Sequence, residues 1–216
     1  MPISEELSAQ ITELSVRYNV PIRATITLPE GNFDPVTKPD RIGEVCMVIR
    51  RPNGRLLTAS KTFYPAGIYR LPTGGIAPDE PIESALLRET REETGLNVRI
   101  RRFLAAIEYL IPLQHSQGDR STATSDLAAH HRSYQMFCTF AFLLDELNGT
   151  LTPLDSTEQI AEFREIVPAE LPTVATTLEQ VQDDYDTEIR GRWRNWGMFR
   201  AIVHRVVYAA LSDEAE

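Results

Sequence analysis

Three glutamates in one short segment have the residue type and the spacing of a metal-binding site. Glu89, Glu92 and Glu93 stand at positions i, i+3 and i+4, so a helix would place their side chains on one face. The same face carries Ile82 and Leu86 one turn earlier, which predicts that it packs against the protein. Three carboxylates within one turn repel one another by roughly 1 kcal/mol per pair in water and more in a cleft. Placing them on a packed face therefore predicts a compensating cation. The alternative, a solvated charged face, would put the glutamates on the side of the helix opposite to Ile82 and Leu86.

The residues around these glutamates suit a hard divalent ion. Carboxylate ligands in this number favour Mg²⁺ or Mn²⁺, which keep water ligands and also take phosphate oxygens. Arg88 lies one turn before Glu92 and can fix the rotamer of that carboxylate for the metal through an i, i+4 pair. The alternative is an ordinary surface ion pair with no role at a metal. Gly74 and Gly75 let the backbone approach a metal or a phosphate. Glu80 either joins the metal network through water or bonds backbone N–H groups at the helix start.

Residues 74–96, GGIAPDEPIESALLRETREETGL, resemble the Nudix box. That motif runs G, five residues, E, seven residues, R-E-U-x-E-E-x-G-U, where U is a bulky aliphatic residue. The positions that match in register are Gly74, Glu80, Arg88, Glu89, Glu92, Glu93, Gly95 and Leu96. The one departure is Thr90 at the first U position, which concerns the packing of the helix and leaves the acidic positions intact.

The resemblance implies an α/β/α sandwich that hydrolyses nucleoside diphosphates linked to another moiety, with Mg²⁺ or Mn²⁺ as cofactor. By position, it implies Glu89, Glu92 and Glu93 as side-chain ligands, the Gly74 carbonyl as a further ligand, and Arg88 as a catalytic residue with them. The motif does not fix the general base, for which the resemblance allows a glutamate of the motif or a carboxylate from a later loop. Its candidates are Glu93, Glu158 and Asp126.

The substrate selector lies outside the motif. Pro112, sixteen residues after Leu96, has a placement that resembles ADP-ribose pyrophosphatases. We expect cationic contacts to the substrate from Arg50, Arg70 and Arg120. The long polar segment 114–133 is interpreted as a substrate loop, with an insertion of no functional role as the alternative.

The elements that must position these residues follow from periodicity. A helix with Ser4 as N-cap is predicted for 4–18, outside the core. The predicted strands are 22–28, 43–50, 55–59, 97–110, 134–144 and 160–167, with a short extended piece at 69–72. Further helices are predicted at 82–94, 168–181 and 195–211, and Gly95 should end the first of these in the left-handed conformation.

Strands and helices alternate without a regular repeat, which favours an α/β fold with a mixed β-sheet and helices on both faces, a Nudix-like α/β/α sandwich with added N- and C-terminal helices. The expected organisation is an N-terminal helix and strand extension over 1–40, a hydrolase domain over 41–172 and a C-terminal helical extension over 173–216. Trp193 and Trp196 in the last helix are interpreted as packing or dimer-forming residues, with base stacking as the alternative.

Composition limits the partners. The 216 residues carry a net charge of -9, with a pI near 5.0, which disfavours binding to nucleic acid or to an anionic membrane. Cys46 and Cys138 lie in apolar runs and are predicted to be buried, reduced thiols. No uncharged apolar stretch reaches about 18 residues, and we expect a cytoplasmic enzyme.

The leading hypothesis is thus a metal-dependent pyrophosphohydrolase acting on a small nucleotide derivative, with a homodimer left open. The alternative is a Nudix-fold nucleotide-binding or regulatory protein without turnover. Intact metal-ligand positions argue against that alternative, because a sensor does not need them.

Overall fold

The computed structural model describes residues 4–29, 36, 38, 40–112 and 134–213. The helices and strands are α1 (Glu5–Tyr18), β1 (Ile22–Thr27), β2 (Gly43–Arg50), β3 (Leu56–Lys61), β4 (Thr73–Ile76), α2 (Ile82–Thr94), β5 (Leu96–Pro112), β6 (Tyr134–Gly149), β7 (Ile160–Ile166), α3 (Leu171–Glu179), β8 (Tyr185–Asp186), β9 (Gly191–Arg192) and α4 (Trp193–Ser212).

The main sheet is mixed and divides along β2. Its order is β1-β5-β6-β2-β3-β7, and β4 also pairs with β2. The first half of β2 pairs antiparallel with β4, from Gly43 opposite Ile76 to Cys46 opposite Thr73. The other end of β2 meets β3 at Arg50 opposite Leu56. Since two strands share one edge of β2, the sheet opens between β3 and β4, and side chains from both faces can meet there.

Helices cover both faces of this sheet. Successive strand residues point to opposite faces, and in β2 Val45 and Met47 pack in the core layer that contains α1 and α2. Cys46 and Val48 pack in the layer that contains the start of α3 and much of α4. The mixed sheet with helices on both faces is therefore confirmed. Both cysteines are buried and free, as expected.

The N-terminal helix was wrongly expected outside the core. Ser4 caps it as predicted, since its hydroxyl accepts from the Leu7 N–H at 3.2 Å, but Leu7, Ile11 and Leu14 are buried among core residues. The amphipathic spacing thus marks a packed helix. α1 also supports α2, because the side-chain oxygen of Gln10 accepts from the Ile82 N–H at 2.9 Å.

Two boundaries differ from expectation for local reasons. The strand at the glycine pair is 73–76 and includes both glycines, whereas in the extended piece predicted at 69–72 only Arg70 forms a bridge, to Ala59. Pro72 lacks an N–H, and its carbonyl accepts from Met47 N at 2.9 Å. The helix expected at 168–181 begins as a short 3-10 turn and is α-helical only over Leu171–Glu179.

The helix that carries the glutamates has the predicted bounds. It ends at Gly95, which has φ 69° and whose N–H donates to the Arg91 carbonyl. No helix in the described part of the chain is long and apolar enough to cross a membrane.

Candidate active site

Two of the three α2 glutamates that the sequence predicts as metal ligands are buried. Glu89 is 6% exposed and Glu93 is 1% exposed, whereas the Glu92 side chain remains 37% exposed. Thr90 and Thr94 are also fully buried, so the centre of the packed face is rotated away from Glu92. Thr90 satisfies its hydroxyl by donating to the Leu86 carbonyl at 2.7 Å, which explains how a polar side chain fits this position.

Arg88 connects the acidic residues of the segment. Its Nη1 donates to Glu89 Oε1 and to Glu92 Oε2, both at 2.9 Å. Its Nε and Nη2 donate to the two oxygens of Glu80 at 2.8 Å, and Nη2 reaches the Gly75 carbonyl at 3.0 Å. Glu80 also accepts from the Ala77 N–H at 3.1 Å. One guanidinium therefore fixes the loop before α2 and the rotamers of two carboxylates.

Gly74 leaves room for a carboxylate. A Cβ atom at this position would lie 2.1 Å from Cγ and Cδ of Glu89 and 2.4 Å from its Oε2. These distances are far below any van der Waals contact, so Glu89 can keep its place against β4 only if residue 74 is glycine.

Glu93 is the most strongly perturbed carboxyl group in this region. Burial raises its pKa to about 7, and the Glu158 carboxylate adds to the rise, although Lys61 and Arg70 oppose it. Lys61 Nζ lies 3.3 Å from Glu93 Oε1 and 2.9 Å from Glu158 Oε2. Burial opposes ionisation of Glu158, but Lys61 prevails and lowers the pKa of that carboxyl group. Glu158 is therefore ionised at neutral pH.

A cavity of about 280 Å³ lies beside these residues, at the opening of the sheet. Its acidic side chains are Glu44, Glu89, Glu158 and Glu188, and its basic ones are Lys38, Arg41, Lys61, Arg70 and Arg200. Gly74 and Gly75 contribute backbone, and Phe63, Tyr64 and Trp196 contribute aromatic surface. The Glu89 carboxylate from α2 and guanidinium groups from the α4 side thus face one space.

Comparison with known proteins identifies the family of this chain. The sequence model of the NUDIX domain family matches residues 40–188 of this chain. The chain belongs to the Nudix family. An ADP-ribose pyrophosphatase of Methanocaldococcus jannaschii is 29% identical to this Nudix protein over 148 residues, which are 68% of this chain and 72% of the relative. The expectation of a Nudix pyrophosphohydrolase is confirmed at the level of the family and the enzyme class.

Solved structures of low identity are also similar. A crystal structure of a MutT protein from Methanosarcina mazei Go1 is 12% identical, covers 83% of this chain and 99% of that chain, and has a TM-score of 0.43. The solution structure of the E. coli ORF135 protein is 21% identical, covers 62% of this chain and 79% of that chain, and has a TM-score of 0.41.

The structure brings some of the predicted site residues of this Nudix protein to the cavity and places others elsewhere. Gly74, Glu89, Arg70 and Glu158 line it. Glu80, Arg88, Glu92 and Glu93 lie in the adjacent network rather than among the lining residues. Arg50 lies at the opposite end of β2 from the lining residue Glu44 and pairs with Asp145 at 2.7 Å. Asp126, Arg120 and the whole segment 114–133 fall outside the described residues.

Sequence reasoning missed Lys61, Glu44 and Arg200. Arg200 had a usable signal, because it stands among apolar residues on the packed face of α4, beside Phe199 and one turn from Trp196. A buried charge on such a face requires a partner. Glu44 supplies it from β2, with Oε2 2.7 Å from Arg200 Nη1.

The glutamates of α2 suit a divalent cation, although their carboxylate oxygens do not converge on one point. Among the described residues, no three His, Cys, Asp or Glu side chains are grouped as a metal site, since Arg88 holds Glu89 and Glu92 while Lys61 lies against Glu93. Both Glu93 oxygens are nevertheless buried and receive no hydrogen bond from the part of the chain that the structure describes, and burial raises the pKa of Glu89 as well. Carboxylates in this condition are stabilised by an additional positive charge.

Proposed function

We propose that this Nudix enzyme is a Mg²⁺- or Mn²⁺-dependent hydrolase of the phosphoanhydride bond in a nucleoside diphosphate linked to another moiety. The observation that carries the proposal is a cavity in which carboxylates, among them Glu89 of α2, face the guanidinium groups of Arg70 and Arg200. A diphosphate with a divalent ion needs both: acidic groups for the ion and cationic groups for the remaining phosphate charge.

ADP-ribose is the substrate that we propose first. The M. jannaschii relative is described as an ADP-ribose pyrophosphatase and aligns over most of both chains. The aromatic surface of Phe63 and Tyr64 beside the charged residues offers a place for a base or a ribose ring next to the diphosphate.

The proposed ligands of the ion are the carboxylates of Glu89, Glu92 and Glu93 and the Gly74 carbonyl. When bound, the ion would neutralise phosphate charge and lower the pKa of a bound water. The protein contributes orientation, because Arg88 holds both Glu89 and Glu92. Glu158 is the general-base candidate that the geometry favours, since it lines the cavity and Lys61 keeps it ionised.

The direct test is a hydrolysis screen with Mg²⁺ or Mn²⁺. ADP-ribose, dinucleotides, nucleotide sugars and nucleoside triphosphates are compared at equal concentration by product chromatography. We expect AMP and ribose 5-phosphate from ADP-ribose, at the highest kcat/KM of the series. No turnover of any of these compounds, with the protein folded and metal present, would contradict the proposal and favour a nucleotide-binding protein without turnover.

Glu92→Gln tests the role of the α2 carboxylates in that reaction. We expect kcat to fall at least about a hundredfold, since a ligand of a metal-held transition state is lost. Stability should change little, because the side chain is partly exposed. Glu83→Gln is the matched control, since Glu83 lies on the same helix but pairs with Arg17 on α1. Equal kcat for Glu92→Gln and the wild type would remove this carboxylate from the mechanism.

A further inference from the structure

The α4 side of the cavity is formed by two buried guanidinium groups. Arg70 is 5% exposed and Arg200 is 4% exposed, and both line the cavity. Nη1 of Arg70 and Nη1 of Arg200 donate to the same acceptor, the Thr73 hydroxyl, at 2.9 and 3.2 Å. Two like charges thus meet on one neutral oxygen, an arrangement that an anion would stabilise.

Hydrogen bonds connect this pair to a single carboxylate. Arg200 forms an ion pair with Glu44, whose other oxygen accepts from the Thr139 hydroxyl at 2.8 Å. Arg70 bonds neutral groups, the Tyr64 hydroxyl at 2.7 Å and the Leu71 carbonyl at 2.9 Å. Two guanidinium groups therefore share one carboxylate within this hydrogen-bonded group.

Arg200 also has a buried donor that nothing in the described residues satisfies. Its Nε is inaccessible to solvent and has no hydrogen-bond partner. Leaving a donor of a charged group unpaired is unfavourable. Burial, and to a lesser extent the charges of Arg70 and Arg200, lower the pKa of the nearby His204. Burial also opposes the charge of Arg70, but Tyr64, Glu93 and Glu44 outweigh it and raise the pKa of that group.

We propose that Arg70 and Arg200 bind the second phosphate of the diphosphate, the one further from the α2 glutamates, so that α4 forms part of the substrate site. This inference rests on the proposed function for its ligand. Guanidinium groups donate in a planar fork that suits phosphate oxygens. A phosphate here would supply an acceptor for the unpaired Arg200 Nε–H and an anion in direct contact with both guanidinium groups.

The two sides of β4 offer places for two linked phosphates. Thr73 holds the two arginines, and the next residue, Gly74, lies against Glu89. Successive strand residues point to opposite faces, but Glu89, Arg70 and Arg200 line one cavity, and the phosphorus atoms of a diphosphate share one bridging oxygen. One phosphate can therefore face the glutamates while its neighbour faces the arginines. Compounds with two adjacent phosphates should bind much better than monophosphates.

Calorimetric titration with α,β-methylene-ADP, a diphosphate analogue with a non-hydrolysable bridge, tests the proposal in the presence of Mg²⁺. Glu44→Gln removes the competing carboxylate, and we expect the analogue to bind about three- to tenfold more tightly. Glu44→Gln combined with Arg200→Met removes the cation as well, and binding should then weaken at least about tenfold relative to Glu44→Gln alone. The affinity for AMP should hardly differ between Glu44→Gln and the double variant.

Arg205→Met is the matched control on the same helix. Arg205 pairs with Glu179 on α3 and does not line the cavity. The dissociation constant of this variant for α,β-methylene-ADP should therefore stay within about twofold of the wild-type value. Equal binding by Glu44→Gln and the double variant would overturn the proposal and reduce Arg200 to a structural ion pair.

A second measurement needs no change in the buried pair. In ¹⁵N-arginine-labelled wild type, the Nε–H resonance of Arg200, assigned with Arg200→Lys, should shift on addition of the analogue, because that donor gains an acceptor or a nearby anion. An unmoved resonance at saturation would also overturn the proposal. Binding with these arginine effects, but without hydrolysis of any substrate, would contradict the proposed function alone.

Discussion

Gly74 shows how a single missing side chain can determine a site. The Glu89 carboxylate occupies the space that a Cβ at Gly74 would need, while Arg88 holds the same carboxylate from the other side. The neighbouring glycine differs, because a Cβ at Gly75 would meet the guanidinium of Arg41 at 2.9 Å, the far end of a flexible side chain. The two adjacent glycines therefore differ in what they permit.

Gly74→Ala should displace Glu89 and lower kcat for the best substrate at least about tenfold, because small misplacements of catalytic groups are costly. Gly75→Ala should lower it less, since Arg41 can move aside. Steady-state kinetics of both variants, with melting temperatures to verify folding, measure the contrast. Equal losses in the two variants would show that the Glu89 position does not matter for turnover.

At the scale of elements, His204 joins α4 to the segment before β4. Its Nε2 accepts from the Leu71 N–H at 2.9 Å, and Nδ1 lies 2.8 Å from the Arg200 carbonyl. This pattern requires a neutral ring that carries its proton on Nδ1. Burial lowers the pKa of His204 to about 3, so the side chain is neutral throughout the physiological range.

The stability of the protein should therefore decrease as the solution becomes more acidic. An unfolded histidine has a pKa of about 6.5, so the unfolded chain gains a proton below that pH while the native state does not. The contribution of His204 is fully present above pH 6.5 and is lost progressively as the pH falls towards 3.

His204→Gln should abolish this part of the pH dependence. Between pH 7 and pH 5, the wild type should lose roughly 2 kcal/mol more of its unfolding free energy than the variant. Urea denaturation at both pH values measures the difference, and the carboxylates common to the two proteins cancel. Equal losses of unfolding free energy in the wild type and the variant would mean that His204 has the same pKa in the folded and unfolded states.

At the scale of the whole molecule, acidic charge is concentrated where the proposed ion binds. The protein has a net charge of -9, and Glu89 and Glu93 are among its few buried acidic residues. Burial raises the pKa values of both groups, which means that their ionised forms are destabilised in the folded protein. A ligand that neutralises them should stabilise the native state specifically.

Mg²⁺ should accordingly raise the melting temperature. At about ten times its dissociation constant, a ligand bound only by the native state adds roughly 1.4 kcal/mol, or about 3–6 °C for a protein of this size. Scanning calorimetry with MgCl₂ is compared with NaCl at equal ionic strength, and Glu93→Gln should reduce the shift. Identical melting temperatures in the two salts, at Mg²⁺ levels that support turnover, would contradict the proposed metal site.

The sequence by itself determined the features that depend on short-range spacing. The bounds of α2, its cap at Gly95 and the shared face of Glu89 and Glu93 follow from helix periodicity and from the conformational freedom of glycine. The family followed from the same segment, because its acidic residues, arginine and glycines stand in a fixed register. Alternation of apolar residues was also sufficient to indicate the strands of a mixed sheet.

Only the tertiary structure decided which distant residues meet these glutamates. Arg200 and Glu44 are 156 positions apart and form a buried ion pair, and Lys61 reaches Glu93 from β3. Nothing in local spacing encodes such contacts, because they arise from the division of the sheet along β2 and from the helices packed on its two faces. The same long-range packing separated Arg50 from the cavity and placed Arg70 in it, although both arginines adjoin similar extended segments in the sequence.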